Sequence, residues 1–219
     1  MQQVIYNTGS GNKYPIELSW KVISYRDIIY EPFLINQLCK EGCKNYGKSG
    51  GCPPHAPWFE YFDHKNKMYI LLVGKFYSKY KTKKVRECKN RAIHWKFQDV
   101  ILARFLDKIG RRISELVDGD FFSTGYCMGC HGKKCSVKSM ELCRNPAKRT
   151  FSMEATGINV VKTVQRCLGE QFYWYTKTNL DIPYMMKAIL ISASMVSMDI
   201  DKVLVNCINS FDNVFLKDI

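Results

Sequence analysis

A chain of 219 residues with 46% apolar side chains can bury a core without covalent staples, so its ten cysteines need a reason other than small size. No window reaches the roughly 18 uninterrupted apolar residues of a membrane-spanning helix; the nearest, MYILLVGKF and AILISASMV, are short and flanked by lysine. The formal charge of +13 is uneven, since Lys75 to Arg112 holds thirteen basic residues against Glu87, Asp99 and Asp107.

The first fifteen residues, MQQVIYNTGSGNKYP, lack a basic start followed by an apolar stretch, so a cytoplasmic, reducing location is expected. There, cysteines serve metal ligation or thiol chemistry rather than disulfides. The glycine-containing start reads as irregular. The following segment, IELSWKVISYRDIIYEPFLINQLC, mixes strand and helix periods, with a break at Glu31-Pro32 and a short helix over residues 33–39. Residues 39–57 read as a loop, because Gly42, Gly47, Gly50 and Gly51 with Pro53, Pro54 and Pro57 forbid a long regular element.

KMYILLVGKFYS is a buried strand, apolar nearly throughout. The clearest helix follows: Ile93, Phe97, Ile101, Phe105, Ile109 and Ile113 recur every four residues, Val100, Leu102, Leu106, Leu116 and Val117 broaden the stripe, and Gly119 is its stop. DFFSTGY leads like a strand into a second cysteine-rich loop over residues 125–146. Beyond it come a helix capped by Asn159 with Val160, Val161, Val164 and Leu168 inward, a strand over residues 184–194, and a final helix in DIDKVLVNCINSFDNVF with Val203, Val205, Cys207, Ile208 and Phe211 partly inward. The expected class is α/β, a mixed sheet flanked by helices with two cysteine-rich cluster-binding loops, in a single domain over 1–219 whose strand order stays open.

The first loop spaces Cys39, Cys43 and Cys52 as C-x3-C-x8-C; the second spaces Cys127, Cys130, Cys135 and Cys143 as C-x2-C-x4-C-x7-C. Short intervals let successive sulfurs converge on one centre, and glycines such as Gly129 and Gly132 let amides turn toward it. Four thiolates suit a four-iron four-sulfur (4Fe-4S) cluster, and Cys52-Pro53-Pro54 and Cys143-Arg144-Asn145-Pro146 place proline after a cysteine as ferredoxin loops do. Lys40, Lys44 and Lys48 at one loop and Lys133, Lys134 and Lys138 at the other would stabilise an anionic cluster. Zinc is the alternative, although it commonly repeats a tight C-x2-C pair, whereas the second half here is C-x7-C. Two 4Fe-4S clusters are the expected cofactors.

Cys88, Cys167 and Cys207 fall in expected helices, where a buried free cysteine acts as a small apolar residue. His55 after CPP and His131 inside the second loop are candidate ligands or proton donors; His64, in a charged loop, and His94, on the basic helix, are not. In SMEATG, Ser152 can cap a helix with Glu154 in its first turn. Glu154 can also accept a proton, bind a substrate amine, or pair with Arg144 or Arg149.

The pattern C-x3-C-x2-YG...CPP with CRNPAKRTFSMEATGINV resembles the domain of unknown function 2284 family, predicted metal-binding proteins of anaerobic bacteria and archaea. The matching positions are Cys39, Cys43, Tyr46, Gly47, Cys52, Pro53 and Pro54, then Cys127, Cys130, Cys135, Cys143, Arg144 and Pro146, then Ser152, Met153, Glu154, Ala155, Gly157 and Val160. The resemblance implies a metal, with iron-sulfur chemistry expected, and brings no agreed reaction. Asn145 and Ala147 stand where relatives carry histidine and glutamate, Thr156 stands where they often carry cysteine, and Gly50-Gly51 replaces a more aromatic approach to CPP.

Three functions follow. The first is electron transfer, or service as a redox subunit of an anaerobic enzyme, with the basic segment docking an acidic redox partner protein. The second is an enzyme whose three-cysteine site keeps an open iron for a small-molecule substrate, in sulfur transfer, desulfuration or Lewis-acid chemistry. The third is a zinc module that binds nucleic acid through the basic helix and aromatics such as Trp95, Tyr77 and Tyr80.

Overall fold

The computed structural model describes residues 2–130, 132–194 and 199–216. Its centre is a seven-stranded sheet of β1 (Gln2–Asn7), β2 (Lys13–Ile23), β3 (Lys67–Tyr77), β4 (Phe121–Ser123), β5 (Phe151–Ser152), β6 (Tyr184–Ser194) and β7 (Val214–Leu216), in the order β5-β4-β6-β3-β2-β1-β7. Every pairing is antiparallel except β4 with β5. The sheet is therefore mixed and flanked by helices. The start of the chain is a correction: β1 and β2 form a hairpin rather than irregular structure, closed where the Thr8 amide donates to the Asn12 carbonyl at 2.9 Å.

Strand alternation divides the core. Ile70, Leu72 and Phe76 of β3 join Ile189 and Ile191 of β6 on the face covered by α3 (Arg91–Val117) and α5 (Ile200–Asn209). Tyr69, Leu71 and Val73 join Met186, Ala188 and Leu190 on the other face, under α4 (Val160–Leu168) and Phe59. Both faces of β3 are thus dry, which accounts for its unbroken apolar sequence.

Helix α3 is capped by the Asn90 side chain, which accepts from the Ala92 amide at 2.9 Å, and it ends at Asp118 in a left-handed conformation. Ile101, Phe105, Ile109 and Ile113 are buried as expected, but Ile93 is 44% exposed and Phe97 only partly buried. The reason is angular. A four-residue step overshoots a full turn by about 40°, so five such steps carry the stripe roughly halfway round the helix. Val161 and Val205, expected inward, are likewise exposed. The final helix stops at Asn209, and its expected continuation becomes β7, paired with β1. Asn159 caps α4 and Gly169 ends it, as read from sequence. Among the described residues no helix is long and apolar enough to cross a membrane.

Unfolding by denaturant should separate the two ends of α3. Phe105→Ala should cost about 3–5 kcal/mol through the cavity it leaves, whereas Ile93→Ala should stay within about 0.5 kcal/mol.

Candidate metal centre and adjoining cavity

Helix α1 (Pro32–Gly42) starts with proline in its first turn and carries Cys39 as expected, but it runs on to Gly42, so the loop begins at Cys43 rather than at Cys39. Cys43 is its C-cap, its amide donating to the Cys39 carbonyl at 3.0 Å, so the two residues lie one turn apart on one side of the helix. The chain then folds through successive turns, with the Gly47 amide on the Pro53 carbonyl at 2.8 Å and the Cys52 amide on the Ser49 carbonyl at 3.0 Å. Cys52 is left 5% exposed. Cys39, Cys43 and Cys52 line one cavity of about 720 Å³, together with Glu154.

The three thiols and Glu154 share an electrostatic neighbourhood. Burial, then the negative charges of Glu154 and Cys43, push the Cys39 thiol up to about 11. Burial and Cys43 push Cys52 up to about 12, with smaller contributions from Cys39 and Glu154 against a hydrogen bond from Ser49. Both are neutral at pH 7, so a metal binding them displaces protons.

The second set is built around main-chain amides. The Cys127 sulfur accepts from the Gly129 and Thr150 amides, each at 3.4 Å, and the Cys135 sulfur accepts from the Gly50 amide at 3.2 Å. Asn145 Nδ2 donates to the Gly129 carbonyl at 3.2 Å and lies 4.0 Å from the Cys130 sulfur. The Cys143 thiol forms no hydrogen bond among the described residues, and His131 lies outside them.

These contacts also bring the two sets together. Gly51 packs against Cys127 so closely that a Cβ there would stand 2.8 Å from the Cys127 Cβ and closer still to the Thr150 carbonyl. The Ser152 amide donates to the Gly51 carbonyl at 3.1 Å. Arg149 closes the seam, its Nη2 donating to the Gly50 carbonyl at 2.7 Å and to the His55 carbonyl at 2.8 Å. His55 thus takes part through its backbone.

The remaining cysteines sit apart. Cys167 and Cys207 are buried, their thiols donating to the Asp27 and Ile109 carbonyls at 3.7 Å, and the Cys88 sulfur accepts from the Asn90 amide ahead of α3. None of the three lines the cavity. Two histidines set aside on sequence grounds turn out to be enclosed. His94 is 2% exposed, and His64 bonds both the Tyr69 hydroxyl and the Phe59 carbonyl. The basic excess of α3 is partly consumed within the fold, Arg111 pairing with Asp107 and Arg112 with Glu115.

The far wall of the cavity was not anticipated. Between α4 and β6 the chain crosses as an irregular strap whose Phe172, Tyr173, Trp174 and Tyr175 face Trp95 of α3 around the opening. It is pinned from below. Lys75, 6% exposed, holds Glu170 at 2.6 Å and Glu17 at 3.0 Å, while Lys81 donates to the Tyr175 hydroxyl at 3.2 Å. The run FYWY just after the helix-ending Gly169 was the available sequence signal.

As placed, no three His, Cys, Asp or Glu side chains among the described residues are grouped tightly enough to hold a metal ion. The donor chemistry nevertheless fits a thiophilic metal: three thiols line one cavity, and two sulfurs of the second set, Cys127 and Cys135, accept main-chain hydrogen bonds.

A fold of this kind, presenting three thiols to one cavity and two more to main-chain amides, defines a candidate metal-binding protein. The family described as predicted metal-binding protein (DUF2284) matches residues 21–191, and the chain belongs to that family. Comparison with curated proteins and with solved structures returned no match.

Alkylation of metal-free protein tests the thiol environment. At pH 8, mass spectrometry should show exposed Cys43 modified well before Cys39 and Cys52. The latter two should gain reactivity as pH rises toward 11, because thiolate is the nucleophile and burial suppresses it. Equal rates for all three at pH 8 would contradict the placement.

Proposed function

We propose that the protein is an iron-sulfur protein with two 4Fe-4S clusters, acting in electron transfer or as a redox subunit of an anaerobic enzyme. Cys39, Cys43 and Cys52 would hold one cluster and Cys127, Cys130, Cys135 and Cys143 the other. The observation that carries this reading is the set of amides from Gly50, Gly129 and Thr150 aimed at the Cys135 and Cys127 sulfurs. Such donors stabilise negative charge on sulfur, and with it the reduced state of a thiolate-bound cluster. Exposed Lys133, Lys134 and Lys138 act in the same direction.

When bound, such clusters supply one-electron chemistry. The chain contributes a short connection between them, since Gly51, the residue before Cys52, touches Cys127. It also contributes a basic surface for an acidic redox partner, whose association should weaken with salt.

A second reading is favoured by one specific observation. The first set offers three thiols, not four, and lines a cavity large enough for a small molecule. A three-thiol site with an open position suits an enzyme acting on a small substrate, in sulfur transfer, desulfuration or Lewis-acid chemistry.

Oxygen-free purification followed by metal and sulfide analysis should give about eight iron and about eight sulfide per chain. Replacing Cys127 and Cys130 together by serine should halve both and abolish electron delivery to a partner reductase. Stoichiometric zinc in a colourless sample, or unchanged electron delivery by the double variant, would contradict the proposal.

A further inference from the structure

The fold leaves one carboxylate in the cavity without a partner. Glu154 was a candidate to pair with Arg144 or Arg149, but Arg149 is committed to the carbonyls of Gly50 and His55, and Arg144 reaches the Lys134 carbonyl at 3.3 Å. The lysines of the cavity wall are also engaged. Lys187 pairs with Asp99 at 2.7 Å, and Lys162 pairs with Glu31 at 2.6 Å. Lys44, just beyond Cys43, lies over the Trp95 ring at 4.9 Å. Among the described residues nothing is within ion-pairing distance of Glu154.

Glu154 opens the short 3-10 turn Glu154–Thr156, as read from the sequence, but among the described residues its carboxylate makes no hydrogen bond there. Ser152 Oγ accepts from the Ala155 amide at 3.0 Å, and the first turn of α4 is capped by Asn159. The carboxylate instead lines a space of about 720 Å³ that is bounded by Trp95 and the strap aromatics, with Phe172 and Trp174 stacked at 5.9 Å.

We propose that this cavity binds an organic cation, a primary amine carried on a planar aromatic ring, with its ammonium on Glu154 and its ring against the Trp95 and Phe172–Tyr175 wall. A carboxylate in a partly dry site binds ammonium through charge-assisted hydrogen bonds, and indole and phenol faces add cation–π attraction. The volume suits a small ring system. The same carboxylate excludes anions of equal shape, despite the chain's overall positive charge. The inference deepens the open-site reading above by naming a substrate class, and it rests on that reading for catalysis, whereas binding itself needs only side chains of this chain.

The test is isothermal titration of the full-length, anaerobically purified protein with 2-(2-naphthyl)ethylamine and with its anionic counterpart 3-(2-naphthyl)propionate. The amine should bind saturably and the carboxylate at least ten-fold more weakly. Glu154→Gln, with its folding checked by circular dichroism, should weaken the amine at least ten-fold. Trp174→Ala, at a side chain 62% exposed and so safe for folding, should weaken it several-fold. Absence of saturable amine binding overturns the inference, as does affinity that Glu154→Gln leaves within two-fold. Iron and sulfide analysis of the same sample separates the two claims: a metal-free protein that binds the amine through Glu154 defeats the cluster reading and leaves this one standing, and the reverse holds for a loaded protein that ignores the amine.

Discussion

The contact of Gly50-Gly51 with Cys127 and Cys135 is the constraint on which the rest of the site depends. It joins segments roughly eighty residues apart without any intervening side chain, and only glycine permits the approach at position 51. The same two residues feed every neighbouring feature. The Gly50 amide supports a sulfur of the second set, its carbonyl receives Arg149, the Gly51 carbonyl extends the line of β5, and the next residue is Cys52 of the first set. A disturbance here therefore reaches both thiol sets.

A second close approach holds the other edge of the site. Gly157 adopts φ +91° and lies where a Cβ would stand 2.7 Å from the Pro32 side chain, while its carbonyl accepts from the Glu31 amide at 2.9 Å. This anchors the start of α1, and hence Cys39 and Cys43, to the segment that carries Glu154. The strap is fixed by a comparably specific network. His94 Nε2 donates to the Cys88 carbonyl, so its Nδ1 is the acceptor facing Lys81, and Lys81 in turn donates to Tyr175, which donates to Gln98. Burial holds the Lys81 amine below its usual range. Glu170 on Lys75 and Tyr175 on Lys81 and Gln98 thus tie the two ends of the aromatic run to β3 and α3.

Much of the scaffold was legible in the chain itself. The apolar run from Met68 to Phe76 and the stripe centred on Ile101 to Ile113 reported their own burial, because periodicity is a local property. Asn159 and Gly169 marked α4 for the same reason. The β1–β2 hairpin is carried by alternation on either side of the glycine-containing turn Thr8 to Asn12, whereas the glycines by themselves signal only irregular chain. β5 and β7 are two and three residues long and owe their existence to neighbouring strands rather than to propensity.

The cysteines announced thiol chemistry through spacing, but spacing could not disclose that the two sets adjoin. Nor could it show the cavity, whose walls come from α1, α3, β6 and the strap. The isolation of Glu154 was equally hidden, because it follows from where Arg144, Arg149, Lys162 and Lys187 find their partners. Such facts are products of tertiary closure.

The central claim is that two adjoining thiol sets gather inorganic iron. Crystals grown without oxygen and measured on both sides of the iron absorption edge address it most directly. The account predicts two anomalous peaks per chain, one bounded by Cys39, Cys43 and Cys52 and the other by Cys127, Cys130, Cys135 and Cys143. A single peak remote from both sets, or signal only at the zinc edge, would contradict it.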